Sequence, residues 1–115
     1  MKVTILHNPR CSKSRNSLAL LKEQGIEPDV RLYLENPPTE DELTSILEML
    51  AIPAKDLLRR GEPEYKELGL GNQNLSEQQL IQLMIKHPKL IERPIVIAGG
   101  KAVIGRPPEQ VLNLL

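Results

Sequence analysis

The first 34 residues constrain the fold most, because they follow a strand, helix, strand pattern. Residues 2–6 are apolar and β-branched and end at an Asn-Pro breaker, which predicts a buried strand. A helix is predicted over residues 12–24, with Gly25 placed to end it. Residues 29–34 alternate well enough to predict a second strand. A βαβ unit of this length makes its two strands parallel and its crossover right-handed.

The middle of the chain, from about residue 37 to residue 88, has helical patterns. Thr39 and Ser76 each begin a capping box, since Glu or Gln follows three residues later. Between the two helices that these boxes start, a short helix is predicted over residues 53–60 and another over residues 63–68. We therefore expect a helical insertion at about 37–88.

The last segment returns to strands. Residues 94–98 and 101–104 are predicted strands, joined by Gly99-Gly100 as a primed hairpin turn. A C-terminal helix is expected to open at the Arg-Pro-Pro-Glu sequence that starts at Arg106. The order βαβ, helical insertion, ββα is that of a thioredoxin- or glutaredoxin-like α/β fold. We therefore expect three layers around a mixed four-stranded sheet, in one domain over residues 1–115.

Charge and composition exclude several functions. Fifteen Lys and Arg residues balance fifteen Asp and Glu residues, so no overall positive field attracts DNA or an anionic membrane. Aromatic residues make up only 2%, too few for the stacking platform that single-stranded nucleic acid uses. The sequence also has neither a signal peptide nor an apolar run long enough to span a membrane. We expect a cytoplasmic protein without nucleic-acid or membrane partners.

Cys11 is the one cysteine, and it lies at the junction of the first strand and the first helix. Unpaired backbone N–H groups and the helix dipole favour a negative charge there. The flanking cations Arg10, Lys13 and Arg15 add to this, so the thiol is expected to have a depressed pKa. The alternative is that Cys11 is a small buried hydrophobic residue.

A single cysteine also limits the chemistry. The chain reads Cys-Ser-Lys-Ser where a dithiol oxidoreductase needs Cys-x-x-Cys, and Ser17 stands where a phosphatase-type loop needs Arg. A Cys-His pair with His7 or His87 lacks the usual third group. The lone thiol likewise excludes an internal disulfide and a multi-cysteine zinc site. Any redox reaction therefore takes its second sulfur from another molecule.

Several arginines stand where structure does not obviously require them. These are Arg15, Arg59 or Arg60, Arg93 and Arg106. Singly, each has an ordinary interpretation as a solvated surface charge. Together with the cysteine, they suggest a site for a tetrahedral oxyanion, because a guanidinium donates to two oxygens at once.

Six stretches of the sequence carry a family resemblance: residues 7–16 (HNPRCSKSRN), 32–38 (LYLENPP), 57–59 (LLR), 67–70 (ELGL), 92–96 (ERPIV) and 105–107 (GRP). Together they resemble the glutaredoxin-coupled arsenate reductase family, the ArsC family. More narrowly, the PRCSKSR stretch and the end of the sequence at Leu115 are similar to a short arsenate-reductase-like subfamily.

The resemblance implies a site and a reaction. It makes Cys11 the nucleophile and implies reduction of arsenate to arsenite, with glutathione as co-substrate and glutaredoxin as partner. No metal and no tightly bound cofactor is implied. The implied oxyanion ligands are Arg59 rather than Arg60, Arg93 and Arg106, and the supporting residues are His7, Ser14, Arg15 and Pro94, the last after a cis peptide bond.

Two other functions remain open at this point. One is a glutathione-dependent monothiol oxidoreductase, in which the arginines bind the carboxylates of glutathione. The other is a non-enzymatic stress regulator that binds RNA polymerase, since the same fold family includes such proteins.

Overall fold

A computed structural model describes residues 2–115. Within them the chain is organised in two compact units, residues 2–36 with 93–115, and Pro37–Glu92. The second unit matches the predicted helical insertion, while the expectation of one domain over residues 1–115 stays a prediction. The first unit contains β1 (Val3–Leu6), α1 (Ser12–Glu23), β2 (Asp29–Arg31), β3 (Ile95–Ala98), β4 (Lys101–Ile104) and a 3-10 helix (Pro108–Leu114). The second contains α2 (Glu40–Leu50), α3 (Ala54–Leu57), α4 (Pro63–Glu67), α5 (Glu77–Lys86) and 3-10 turns at Leu70–Asn72 and Pro88–Leu90.

The sheet of the first unit has the strand order β2-β1-β3-β4. β1 is parallel to β2 and antiparallel to β3, and β3 is antiparallel to β4. Gly99 and Gly100 join the last two strands with φ of 58° and 75°, the left-handed values that a primed turn needs. The predicted α/β fold with a mixed four-stranded sheet is confirmed.

One face of this sheet packs against α1 and the C-terminal 3-10 helix. Helix α1 ends as predicted, because Gly25 has φ 78° and donates its N–H to Lys22 O at 3.0 Å, while Ile26 N donates to Leu21 O at 3.1 Å. These two bonds form a Schellman motif. The buried cluster consists of Val3, Ile5, Leu21, Val96, Ala98 and Val111.

Capping boxes start the two long helices of the second unit. Thr39 Oγ1 accepts from Glu42 N at 3.1 Å and Glu42 Oε1 accepts from Thr39 N at 2.9 Å. Ser76 and Gln79 make the same pair of bonds before α5. The predicted starts of both helices are confirmed. α2 packs against α5, and the buried residues of the pair are Leu43, Ile46, Leu47, Ile81 and Met84.

Two predicted boundaries were wrong. β2 ends at Arg31, because residues 32–35 form a turn in which Glu35 N and Asn36 N both donate to Leu32 O. The short helix after Pro53 ends at Leu57 rather than Arg60. Leu58 is extended there and pairs with Ile91 in an isolated antiparallel bridge, so pairing with a distant segment overrides local helix propensity.

The C-terminal helix is a 3-10 helix rather than an α-helix. Gln110 N donates to Pro107 O at 3.0 Å, the three-residue spacing of this helix type. Among residues 2–115, none of the helices combines the length and the apolar character that crossing a bilayer requires.

Candidate active site

Cys11 occupies the N-cap position of the 12-residue helix α1, with extended backbone angles. Its N–H donates to Asn8 O at 3.0 Å, which closes the turn after β1. Its carbonyl oxygen accepts the first helical bond, from Arg15 N at 3.0 Å. The side chain is half-buried, so the sulfur lies at the helix N-terminus within reach of solvent.

The pKa of Cys11 lies below its ordinary value of 9.0. Partial burial by itself raises the pKa of this thiol. The backbone N–H groups of Ser14 and Lys13 and the hydrogen bond and charge of Arg93 outweigh burial, because they stabilise the thiolate. The predicted direction of the pKa shift agrees with this arrangement, and the causes are the helix start and one distant arginine. The side-chain charges of Arg10, Lys13 and Arg15, which the sequence suggested as contributors, are not among those causes.

Arg93 and Arg106 approach the cysteine from the ends of the β3–β4 pair. Arg106 Nη2 lies 4.0 Å from Cys11 Sγ, while its Nε donates to the backbone carbonyl of Arg93 at 2.9 Å. Both arginines are half-buried, and both precede a proline in a cis peptide bond, as the resemblance implies for Pro94. The structure therefore brings Cys11, Arg93 and Arg106 together in the first unit.

His7 and Ser14 form a buried polar contact below the turn. His7 Nδ1 lies 2.6 Å from Ser14 Oγ, which also accepts from Asn8 N at 3.0 Å. Burial and the charges of Arg15 and Lys22 hold the pKa of His7 below 6.5. His7 is therefore neutral at neutral pH and acts on this turn through Ser14, rather than through a positive charge.

Arg15 is exposed, and its Nη1 donates to Pro9 O at 2.9 Å across the turn. It thus braces the loop that carries the cysteine, in addition to any effect of its charge. Within residues 2–115, no three His, Cys, Asp or Glu side chains are grouped so that they could hold a metal ion.

Arg59 lies in the second unit, where two carboxylates bind its guanidinium. Nη1 donates to Glu92 Oε1 at 2.7 Å and Nε donates to Glu62 Oε1 at 3.3 Å. Arg60 beside it is exposed and lines a different cavity of that unit, together with Lys55 and Tyr65. The role of Arg59 as an oxyanion ligand stays a prediction.

Asn8 is the residue of the site that sequence reasoning missed. Its Oδ1 accepts from Arg10 N at 3.0 Å, its N–H donates to Ser14 Oγ and its carbonyl oxygen accepts from Cys11 N. The sequence did contain a signal, because Asn before Pro is typical of a turn that the side chain itself closes. The carboxylates of Glu62 and Glu92, which bind Arg59, had no comparable signal.

The fold and the site together define a class of protein. It is a thioredoxin-like α/β protein in which a single thiol of lowered pKa lies at a helix start, with two arginines facing it. The chain belongs to the ArsC family, whose model matches residues 6–114.

Several known proteins are similar to this chain over nearly its whole length. The uncharacterized protein YfgD of Escherichia coli K12 is 56% identical over 115 residues, covering 99% of this chain and 97% of that protein. An arsenate reductase of Haemophilus influenzae is 49% identical over 116 residues, covering 100% of both. The solved structure of an arsenate reductase from Vibrio cholerae has a TM-score of 0.96 and 52% identity, covering 100% of this chain and 98% of that chain.

Proposed function

We propose that this protein reduces arsenate to arsenite with Cys11 as its nucleophile, using glutathione and glutaredoxin. The observation that carries the proposal is the position of Cys11 Sγ, at the start of α1 and 4.0 Å from Arg106 Nη2. The names of relatives that match nearly the whole chain support the choice of arsenate.

In the first step the Cys11 thiolate attacks As(V). A sulfur–arsenic bond forms, an arsenic–oxygen bond breaks and the oxygen takes up protons and leaves as water. Arg93 and Arg106 neutralise the charge on the remaining oxygens, because guanidinium groups pair with such oxygens through charge-assisted hydrogen bonds. Arg59 is proposed to add a third guanidinium by exchanging one of its carboxylate partners.

The second half of the reaction needs external thiols, since the chain has one cysteine. Glutathione replaces a second oxygen on the arsenic, and that oxygen leaves as water. A glutaredoxin thiolate then attacks the glutathione sulfur, so that the glutathione–arsenic bond breaks and its electron pair stays on the arsenic as As(III). Water finally replaces the Cys11 sulfur on the arsenic, which releases arsenite and the Cys11 thiol. Two electrons convert As(V) to As(III), and the two external thiols supply them as they join in one disulfide. We place the reaction in the cytoplasm, where glutathione keeps such a thiol reduced.

The test is a coupled assay with reduced protein, glutathione, glutaredoxin, glutathione reductase and NADPH. We expect NADPH oxidation that depends on arsenate, that is lost in Cys11→Ser and that persists in the exposed control Lys101→Gln. A parallel assay with thioredoxin and thioredoxin reductase in place of glutathione, glutaredoxin and glutathione reductase identifies the reductant. No arsenate-dependent turnover with reduced Cys11 would contradict the proposal.

Two further experiments test the two alternative functions. Turnover of mixed glutathione disulfides without arsenate would favour a monothiol oxidoreductase. Capture of RNA polymerase by both the parent protein and Cys11→Ser, without turnover in either assay, would favour a regulator.

A further inference from the structure

A cavity of about 210 Å³ adjoins the turn that carries Cys11. Residues 7–10 form one wall, and the turn after β2, at residues 32–35, contributes the other. The two walls are connected, because His7 N donates to Arg31 O at 2.9 Å. This cavity lies within the first unit and is separate from the sulfur–arginine contact.

The cavity has an apolar wall and two opposite charges. Leu32 and Leu34 line it, and Leu32 is 38% exposed. Arg10 and Glu35 also line it, and both are exposed. Within residues 2–115, neither of these two side chains has an ion-pair or hydrogen-bond partner in the protein. Their charges are therefore available to a ligand.

The cavity shares a hydrogen-bonded turn with the cysteine. Arg10 directly precedes Cys11, and the bonds from Cys11 N to Asn8 O and from Arg10 N to Asn8 Oδ1 hold the turn. The lining of the cavity therefore ends one residue before the cysteine in the chain.

We propose that this cavity binds the γ-glutamyl end of glutathione, a proposal that rests on the proposed function. The α-carboxylate of that end pairs with Arg10, its α-ammonium pairs with Glu35 and its methylene groups lie on Leu32 and Leu34. Sites for drug-sized ligands usually occupy about 300–1,000 Å³. A cavity of about 210 Å³ therefore holds one arm of the tripeptide and leaves its thiol end to extend toward Cys11.

The binding experiment uses S-methylglutathione, a thioether that cannot react with Cys11, in an NMR titration of the full chain. We expect shifts concentrated at residues 7–10 and 32–35. Arg10→Gln and Glu35→Gln should each weaken binding about 3- to 10-fold, since each removes one exposed charge pair or a charged hydrogen bond. The matched controls Lys101→Gln and Glu23→Gln remove an exposed charge elsewhere and should leave binding unchanged.

A truncated probe tests recognition of the γ-glutamyl end. S-methyl-cysteinylglycine lacks that end, so its affinity should be weak and should not change in Arg10→Gln or Glu35→Gln. Equal affinity of the two probes, shifts confined to other regions, or no effect of either substitution on S-methylglutathione would overturn the proposal.

Kinetics distinguish the failure of this proposal from failure of the proposed function. If arsenate is reduced, Arg10→Gln should raise the KM for glutathione and leave the KM for arsenate unchanged. If arsenate is reduced and neither substitution changes the KM for glutathione, the proposed function stands and the proposal that this cavity binds glutathione is wrong. Charge-dependent binding of S-methylglutathione without arsenate turnover supports the cavity and contradicts the proposed function.

Discussion

Arg106 connects the backbone of Arg93 to the sulfur of Cys11. Its Nε donates to the Arg93 carbonyl oxygen at 2.9 Å, and its Nη2 lies 4.0 Å from Cys11 Sγ. The planar guanidinium makes both contacts at once, which a lysine ammonium on a flexible stem cannot reproduce. The bond to the Arg93 backbone therefore fixes the direction in which the Arg106 guanidinium faces the sulfur.

The first prediction concerns Arg93→Gln. The Arg93 guanidinium lowers the pKa of Cys11 by a hydrogen bond and by its charge, so the substitution should raise that pKa. The rate of alkylation by iodoacetamide, followed against pH, measures the change. Lys101→Gln serves as the control, and an unchanged profile in Arg93→Gln would show that Arg93 does not stabilise the thiolate.

The second prediction concerns Arg106→Lys, which keeps the charge and loses the two-contact geometry. Binding of arsenate or sulfate should weaken about 10-fold or more, because a hydrogen bond to a charged group contributes about 1.5–3 kcal/mol. Calorimetric titration of the reduced protein measures the affinity. Parent-like affinity in the lysine variant would mean that charge alone suffices at this position.

The third prediction concerns stability against pH. The pKa of Cys11 in the folded protein is lowered from 9.0, so between the two values the unfolded chain binds more protons. The thiolate's contribution to stability is present above about 9.0 and is lost as the pH falls through the folded pKa. Urea unfolding of the parent and Cys11→Ser at a series of pH values should show their free energies of unfolding diverging as the pH rises. Parallel curves of unfolding free energy against pH for the two proteins would contradict this prediction.

The fourth prediction compares two buried serines of α1, Ser14 and Ser17, each 0% exposed. Ser14 Oγ accepts from Asn8 N and contacts His7 Nδ1, so Ser14→Ala should cost about 1–3 kcal/mol in the free energy of unfolding. Ser17 Oγ has no hydrogen-bond partner among the described residues, so Ser17→Ala should be neutral or stabilising. Denaturant unfolding gives both values. Equal losses would show that the hydrogen bonds of Ser14 are not the cause.

The fifth prediction concerns Gly105, whose backbone lies against α1. A Cβ added there would clash with Ser17 Oγ and would lie 2.8 Å from Pro94 Cγ. Gly105→Ala should therefore destabilise the protein by about 1–3 kcal/mol. In a double-mutant cycle, Ser17→Gly should recover part of that loss, because it removes one of the two clashes. Strict additivity would place the strain at Pro94 alone.

Local signals predicted the elements whose ends are determined by neighbouring residues. The capping boxes at Thr39 and Ser76 and the turn at Gly99-Gly100 depend on contacts within four residues, so the sequence was sufficient to place them. Predictions were wrong where distant segments compete. The helix before Arg59 stops early because Leu58 pairs with Ile91.

The candidate site, like the fold, was predicted from the sequence only where neighbouring residues determine the structure. Placing Cys11 at a helix start required only the strand-to-helix pattern around it, and that pattern already implied a lowered pKa. The buried contact of His7 with Ser14 was harder to predict from the sequence, because an amphipathic pattern favours apolar residues on the inward face of α1. Its formation depends on how the turn folds back over the helix.

The sequence by itself determined the order of the elements, the lone thiol and its place at the start of α1. Only the tertiary structure decided which arginines face that thiol, because Arg106 is 95 residues from Cys11 along the chain. The pairing of β1 with β3 and of β3 with β4 brings Arg93 and Arg106 to the cysteine. The physical reason is that the direction of a side chain depends on strand register, which many distant contacts determine together.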